Sequence, residues 1–241
     1  MKKFAIANEH HLHFDKQQFI ELEGVIPMDQ ILQLQLILDK TLEISMAEYG
    51  QWKAQPLPDE LFLDGRDLWR KNDVVKRVVW DKQLVGIASE LMRKRFIRLG
   101  YDQFLLGGPL KDSPQSTKDE LLGARTLLLT QQTNLEEISC IRGTLCGLII
   151  CLNSVKEPIE RLPNSLFPVE SGHITYFTSQ ANINFSELSK REGQKFLLIV
   201  YAEKTTLYVA NEKDPNWHGL KRLGYVFGDR VRDSLHPVLH R

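Results

Sequence analysis

Apolar residues recur at helical spacing early in the chain, and later give way to runs that are apolar on both faces. Ile31, Leu34, Leu38, Leu42 and Met46 lie three or four apart, which puts them on one stripe of an α-helix. Pro27 stands at a first helical position and Gly50 closes the run, so the spacing predicts one long helix. A proline-containing loop follows at residues 55–59. Leu84, Ile87, Ala88 and Leu91 predict a second helix over residues 82–95. From Phe96 the period changes. Residues 96–106 read as a strand interrupted at Gly100. Further strands are expected over 124–130, 138–141, 144–153, 173–178, 195–203 and 206–210. Several are apolar at consecutive positions, as strands enclosed on both sides are. Residues 107–118, rich in Gly, Pro, Ser and Asp, read as a flexible surface loop.

Helices first and strands afterwards predict an α+β chain whose strands form a sandwich or jelly roll. The expected organisation is one domain over residues 1–241. Residues 1–95 form a mainly helical flank and 96–210 the β core, with 211–241 packing back against the helices.

Composition narrows the function classes. The 241 residues carry 31 basic and 31 acidic side chains, and this balance argues against affinity from bulk attraction to nucleic acid or anionic lipid. No stretch approaches the ~20 apolar residues of a spanning helix. The apolar run after Lys3 stops at Asn8, so no signal peptide is expected. Cys140, Cys146 and Cys151 are odd in number and share one apolar segment, which points to buried, reduced thiols in a cytoplasmic protein. Cys146 and Cys151 stand five apart, on opposite faces of one strand, where they cannot share a metal.

The candidate chemistry lies in the back third. A strand over 173–178 leads into a polar turn with Asn182, Asn184 and Ser186; Arg191 follows, and then the most apolar strand of the region. Three pieces together resemble the phytanoyl-CoA dioxygenase-like branch of the iron(II)/2-oxoglutarate oxygenases. They are Gly24-Val25-Ile26-Pro27, the strand with Asp102-Gln103, and Asn184-Phe185-Ser186 with the downstream Arg191. The resemblance implies a double-stranded β-helix (jelly-roll, cupin-like) core, with iron(II) and 2-oxoglutarate as cofactors. It also implies a His-x-Asp pair after the Asp-Gln strand and a second histidine about eleven residues before the arginine. Two imidazoles and one carboxylate on one face of iron(II) are the donor set for that chemistry. Here Gln180 stands at the second-histidine position, and no histidine occurs between Leu105 and Asn153. The resemblance therefore implies the family fold without its metal triad. Arg191, helped by Ser186, matches the position that grips the far carboxylate of 2-oxoglutarate, a task suited to a bidentate guanidinium. The alternative is that Arg191 belongs to a solvated charged turn, Lys190-Arg191-Glu192.

Other clusters carry weaker chemistry. His10, His11 and His13 read as part of a flexible, solvated tail, and no cysteine or carboxylate cluster beside them completes a closed metal site. His236 and His240 are four apart, but Pro237 stands between them. His173 reads as a strand-start histidine with a satisfied hydrogen bond. Residues 66–98 hold ten basic and four acidic side chains, read as a solvated face with helix-end charge.

Three functions follow from these readings. The first is a non-canonical, iron-independent binding or regulatory protein on the oxygenase fold, with a small carboxylate as ligand. The second is an active oxygenase with unconventional ligands such as Asp102, His173 or His218. The third is a metal-responsive DNA-binding regulator, although neither a nucleic-acid nor a membrane partner is expected from the charge balance.

Overall fold

Asp81, Asn72 and Asn134 each start a helix by offering a side-chain oxygen to the free N–H groups of its first turn, an arrangement that stabilises a helix by about 1 kcal/mol. The computed structural model describes residues 4–48, 63–108, 133–154 and 162–240. Asp81 Oδ1 accepts from Gln83 N at 2.8 Å and Leu84 N at 3.0 Å. Asn72 Oδ1 accepts from Val74 N at 2.8 Å, and Asn134 Oδ1 from Glu137 N at 3.0 Å. The helices are α1 (Asn8–Gln17), α2 (Met28–Glu48), α3 (Asp73–Val79), α4 (Lys82–Met92) and α5 (Leu135–Ile138). No described helix is long and apolar enough to cross a membrane.

The strands are β1 (Phe19–Leu22), β2 (Ile97–Leu106), β3 (Ile141–Cys151), β4 (Ile174–Thr178), β5 (Lys195–Tyr208) and β6 (Val238–His240). They form one curled sheet in the order β1-β4-β3-β5-β2-β6, and every pairing is antiparallel. The register of β2 on β5 shifts between Leu99 and Tyr101, at the glycine where the sequence predicts an interruption.

Alternation sorts the side chains onto two cores. Leu99, Phe104, Leu148, Ile150, Tyr176, Ile199 and Tyr201 face the helices, meeting Ile31, Leu34 and Leu38 of α2 and Leu84 and Ala88 of α4. Tyr101, Leu105, Ile149, Cys151, Phe177, Leu198 and Val200 face the other way and are covered by Phe167, Phe185, Leu188, Leu220 and Tyr225. Cys146 and Cys151 fall in different cores, as their spacing requires. All three cysteines are buried free thiols, and burial pushes Cys146 and Cys151 up to about 12.

Several expectations need correction. Residues 8–17 are helix α1 rather than a flexible tail, and His10 Nδ1 accepts from Ala7 N at 3.1 Å. Residues 135–138 are helical, so no strand begins at 138; Ile141 opens β3. The strands expected at 195–203 and 206–210 are one, β5, which ends at Tyr208. Helix α4 stops at Met92 because Arg93 adopts a left-handed conformation with φ 51°. The expected strand at 124–130, Gly50 and most of the 107–118 loop lie outside the described residues.

The C-terminal segment does two things. Residues around Leu220, Tyr225 and Val231 cover the face away from the helices, and β6 adds an edge to β2. His236 anchors this segment. Fully buried, it accepts at Nε2 from Arg70 Nη2 at 3.2 Å, while Nδ1 meets Tyr225 Oη at 3.0 Å. Burial, reinforced by Arg70, Arg98 and Arg232, lowers its pKa to about 3, so the ring is neutral and Nδ1–H donates to the phenol.

Candidate functional site

Gly107, at the end of β2, has no side chain because a Cβ there would lie 2.0 Å from the Arg191 carbonyl oxygen. This contact pins the loop before β5 onto the sheet. Gly107 N donates to Gln194 O at 2.7 Å, and Gly108 N to Leu188 O at 2.9 Å. A 3₁₀ turn, Phe185–Lys190, leads in; Asn184 Oδ1 caps it, accepting from Ser186 N at 3.2 Å and Ser186 Oγ at 2.6 Å. Ser186 is thereby engaged in the cap.

Arg191 is 2% exposed although its neighbours Lys190 and Glu192 are exposed, which overturns the solvated-turn expectation. Its Nη1 donates to Gln194 Oε1 at 3.0 Å and Pro168 O at 3.3 Å. Its Nη2 donates to Phe167 O at 3.0 Å, Ser165 Oγ at 3.2 Å and Glu187 Oε2 at 3.3 Å. Ser165 Oγ in turn donates to Glu187 Oε2 at 2.5 Å. Both charges are buried, with side-chain exposures of 2% and 6%. A buried ion pair survives only when its remaining donors and acceptors are met, and Ser165, Gln194 and two carbonyls meet them here. The guanidinium carbon also lies 5.8 Å from the ring centroids of both Phe167 and Phe196.

Aromatic rings continue this packing inward. Phe167 meets Phe196 at 5.2 Å and Phe185 at 6.1 Å, both edge-on. Phe177 of β4 lies across Gly147 of β3, its registered partner; a Cβ on Gly147 would come within 2.4 Å of the ring. All four phenylalanines are at most 1% exposed. Among the described residues, the sheet face away from the helices is thus filled by the protein's own side chains near Arg191.

Gln180 is exposed in the turn after β4. The register places Thr178 opposite Cys146 and Phe196 opposite Cys151. Five residues at ~3.3 Å each separate those rows by roughly 17 Å, with Gln180 beyond one end and Arg191 beyond the other. Asp102 faces the helical side, where its two oxygens accept from Leu68 N at 3.1 Å and Trp69 N at 3.2 Å. Burial, with Asp67 nearby, pushes its carboxyl up to about 8. His173 sits at the start of β4 with Nδ1 2.7 Å from Glu21 Oε1, and His218 stacks on Trp217 at 3.8 Å in the C-terminal segment. The three candidate ligands therefore occupy three separate places. Among the described residues no group of three His, Cys, Asp or Glu side chains is placed to hold a metal ion, so these residues do not fit ferrous iron.

The basic stretch does not form one face. Arg66 pairs with Asp214, Arg98 with Asp233, Arg93 with Asp15 and Lys94 with Glu203; the Arg66 and Arg98 side chains are only 9% and 3% exposed. Arg66 instead helps wall a cleft of about 250 Å³, together with Arg70, Lys71, Tyr101, Asn216 and Arg222. Sequence reasoning missed this cleft, because its walls come from four distant segments.

No family model matches the chain, and no curated protein does. Solved structures do match over nearly its whole length. The non-heme alpha-ketoglutarate-dependent carbocyclase SnoK of nogalamycin biosynthesis superposes with a TM-score of 0.65 at 13% identity, covering 97% of this chain and 96% of that one. The alpha-ketoglutarate-dependent epimerase SnoN of the same biosynthesis gives 0.66 at 13% identity, covering 97% and 98%. CytC3 gives 0.55 at 10%, covering 88% and 86%. At such identities the likeness establishes the fold: a mixed helix-and-sheet architecture of the 2-oxoglutarate oxygenase type.

Proposed function

We propose that this chain is a non-catalytic protein on the oxygenase fold, a small-molecule-binding or regulatory protein derived from the phytanoyl-CoA dioxygenase-like branch. The observation that carries this reading is the enclosed Glu187–Arg191 pair. The guanidinium that resembles a 2-oxoglutarate anchor already holds a carboxylate, supplied four residues earlier by the same chain. Phe167, Phe185 and Phe196 occupy the adjoining space. SnoN and CytC3 are described with iron and alpha-ketoglutarate bound. Here the described residues offer neither the donor set for the metal nor a free grip for the co-substrate.

Two measurements test the reading on the full chain. Anaerobic iron(II) titration should show no saturable site, and incubation with iron(II), ascorbate and 2-oxoglutarate in air should form no succinate above a protein-free control. Succinate release at one or more turnovers per chain would overturn it.

A further inference from the structure

β1 and β4 bring three ionisable side chains to one corner of the sheet. The register pairs Glu21 with Thr175 and Leu22 with Ile174. Its next step sets Glu23 across from His173, and alternation keeps Glu21, Glu23 and His173 on one face. Glu21 Oε1 lies 2.7 Å from His173 Nδ1. An ionised carboxylate only accepts, so Nδ1 carries the proton and donates it, and in the neutral ring Nε2 is left as an acceptor. Nε2 lies 3.7 Å from Glu23 Oε2, too far for a hydrogen bond. Two acceptors thus stand side by side, and among the described residues Glu23 makes no closer polar contact.

Both residues line a pocket of about 620 Å³, inside the usual range of small-molecule sites, about 300–1,000 Å³. Its walls are the 23–28 segment and the 171–173 turn, with Gln83 beside them. Both walls are fixed. Gln83 Nε2 donates to Val25 O at 2.9 Å, Gly172 N to Cys151 O at 2.8 Å, and Ser171 Oγ to Leu152 O at 3.1 Å. They meet at Gly172, where a Cβ would lie 3.3 Å from Met28 Sδ. Pro27 and Met28 are exposed and supply apolar surface. Among the described residues no lysine or arginine lines the pocket. The partial positive charge at the start of α2 is met by Asp29 in its first turn.

We propose that this pocket binds a small primary amine, whose ammonium bridges His173 Nε2 and Glu23 Oε2 and whose apolar body lies against Pro27 and Met28. An ammonium offers three donors and no acceptor. Placed about 2.9 Å from each atom, it serves both, which a hydroxyl with its single proton does not. A carboxylate or phosphate would instead face two acceptors, with Glu21 behind the ring adding charge of its own sign. The assignment goes beyond the oxygenase-derived reading and does not depend on it. Succinate formation would remove that reading and leave the amine site standing.

Isothermal titration of the full chain tests it at about pH 8, where an ordinary imidazole is neutral and an alkylamine charged. The probes are benzylamine, benzyl alcohol, benzoate and ammonium chloride. Benzylamine should bind at one site with Kd on the order of 1 mM. Benzyl alcohol and benzoate lack the cation and ammonium lacks the ring, so each should bind at least about tenfold more weakly. In imidazole nitrogen NMR spectra the His173 Nε2 signal should move with the same Kd. Glu23→Lys, at an exposed position, and His173→Gln should each weaken benzylamine by about tenfold or more, with the far-UV spectrum unchanged. Should His173→Gln fail to fold, Glu23→Lys and the Nε2 signal still decide. Absence of saturable benzylamine binding up to about 10 mM, or an unmoved Nε2 signal, would overturn the site. Equal affinity for benzyl alcohol would overturn the role of the ammonium, and unchanged affinity in the folded variants would overturn the location.

Discussion

Replacing Glu187 with alanine should leave a buried, uncompensated guanidinium and open a carboxylate-sized hole beside it. The pair lies 3.3 Å apart, which at an effective dielectric of about 20 corresponds to roughly 5 kcal/mol of attraction. Both groups are desolvated whether or not the partner is present, so truncating one of them costs about 3–5 kcal/mol. For a chain of this size each kcal/mol moves the melting midpoint by about 2–4 °C, so Glu187→Ala should melt at least about 6 °C below the wild type. The Glu187→Ala/Arg191→Ala double variant should lose less than the sum of the single losses, with a coupling of about 2 kcal/mol. Acetate should re-enter the hole: at a hundredfold excess over Kd it restores about 2.7 kcal/mol. The wild type, whose guanidinium is already engaged, should show no thermal shift with acetate or 2-oxoglutarate. Thermal and urea denaturation followed by circular dichroism measure all of this. A Glu187→Ala midpoint within about 0.5 kcal/mol of wild type, or a wild-type shift with 2-oxoglutarate, would refute the internal-carboxylate argument.

Three further outcomes are expected. Gly147→Ala drives a methyl to 2.4 Å from the Phe177 ring and should cost about 1–3 kcal/mol in urea denaturation; combining it with Phe177→Leu should cost less than the two together, and additive losses would exclude the proposed contact. His236 stays neutral in the fold with a pKa near 3 but titrates near its ordinary 6.5 when unfolded. Its contribution is therefore complete above pH 6.5 and is lost as pH falls toward 3, with a limiting slope of about 1.4 kcal/mol per pH unit. The stability difference between wild type and His236→Gln should shrink by that slope between pH 6 and 4, in urea titrations at each pH; a constant difference would mean that the ring is not held neutral. Gln180→His should gain no iron(II) affinity in an anaerobic titration, because residue 180 is exposed and lies at the far end of the sheet from Arg191; a saturable site in this variant would contradict that placement.

The long central strands are legible in the sequence because they are buried on both faces. Phe196, Leu197, Leu198, Ile199 and Val200 are apolar in succession and at most 2% exposed, and no other element explains such a run. Helix α1 is illegible for the opposite reason. Phe14 is its single buried residue, so no apolar period exists to read. In α5 two apolar residues three apart, Leu135 and Ile138, are buried with acidic residues between them, too short a pattern to separate a helical turn from a strand. The site divides the same way. Gln180 is a matter of residue identity and position and can be read directly. The Gly147–Phe177 contact depends on strand register, and the Glu187–Arg191 pair on burial, which a charged Lys-Arg-Glu triplet conceals. The Arg66 cleft is assembled from residues near 66, 101, 140 and 216, a convergence that only the folded chain displays.

The infill also has an energetic logic. An arginine enclosed on that face without a partner would be costly, because its charge would be desolvated with nothing to meet it. The chain supplies a permanent counter-charge. Glu187 sits one turn before Arg191, Ser165 bridges the two, and the phenylalanines close the remaining space. The result is a staple holding three parts together: the 165–168 segment, the 3₁₀ turn and the start of β5.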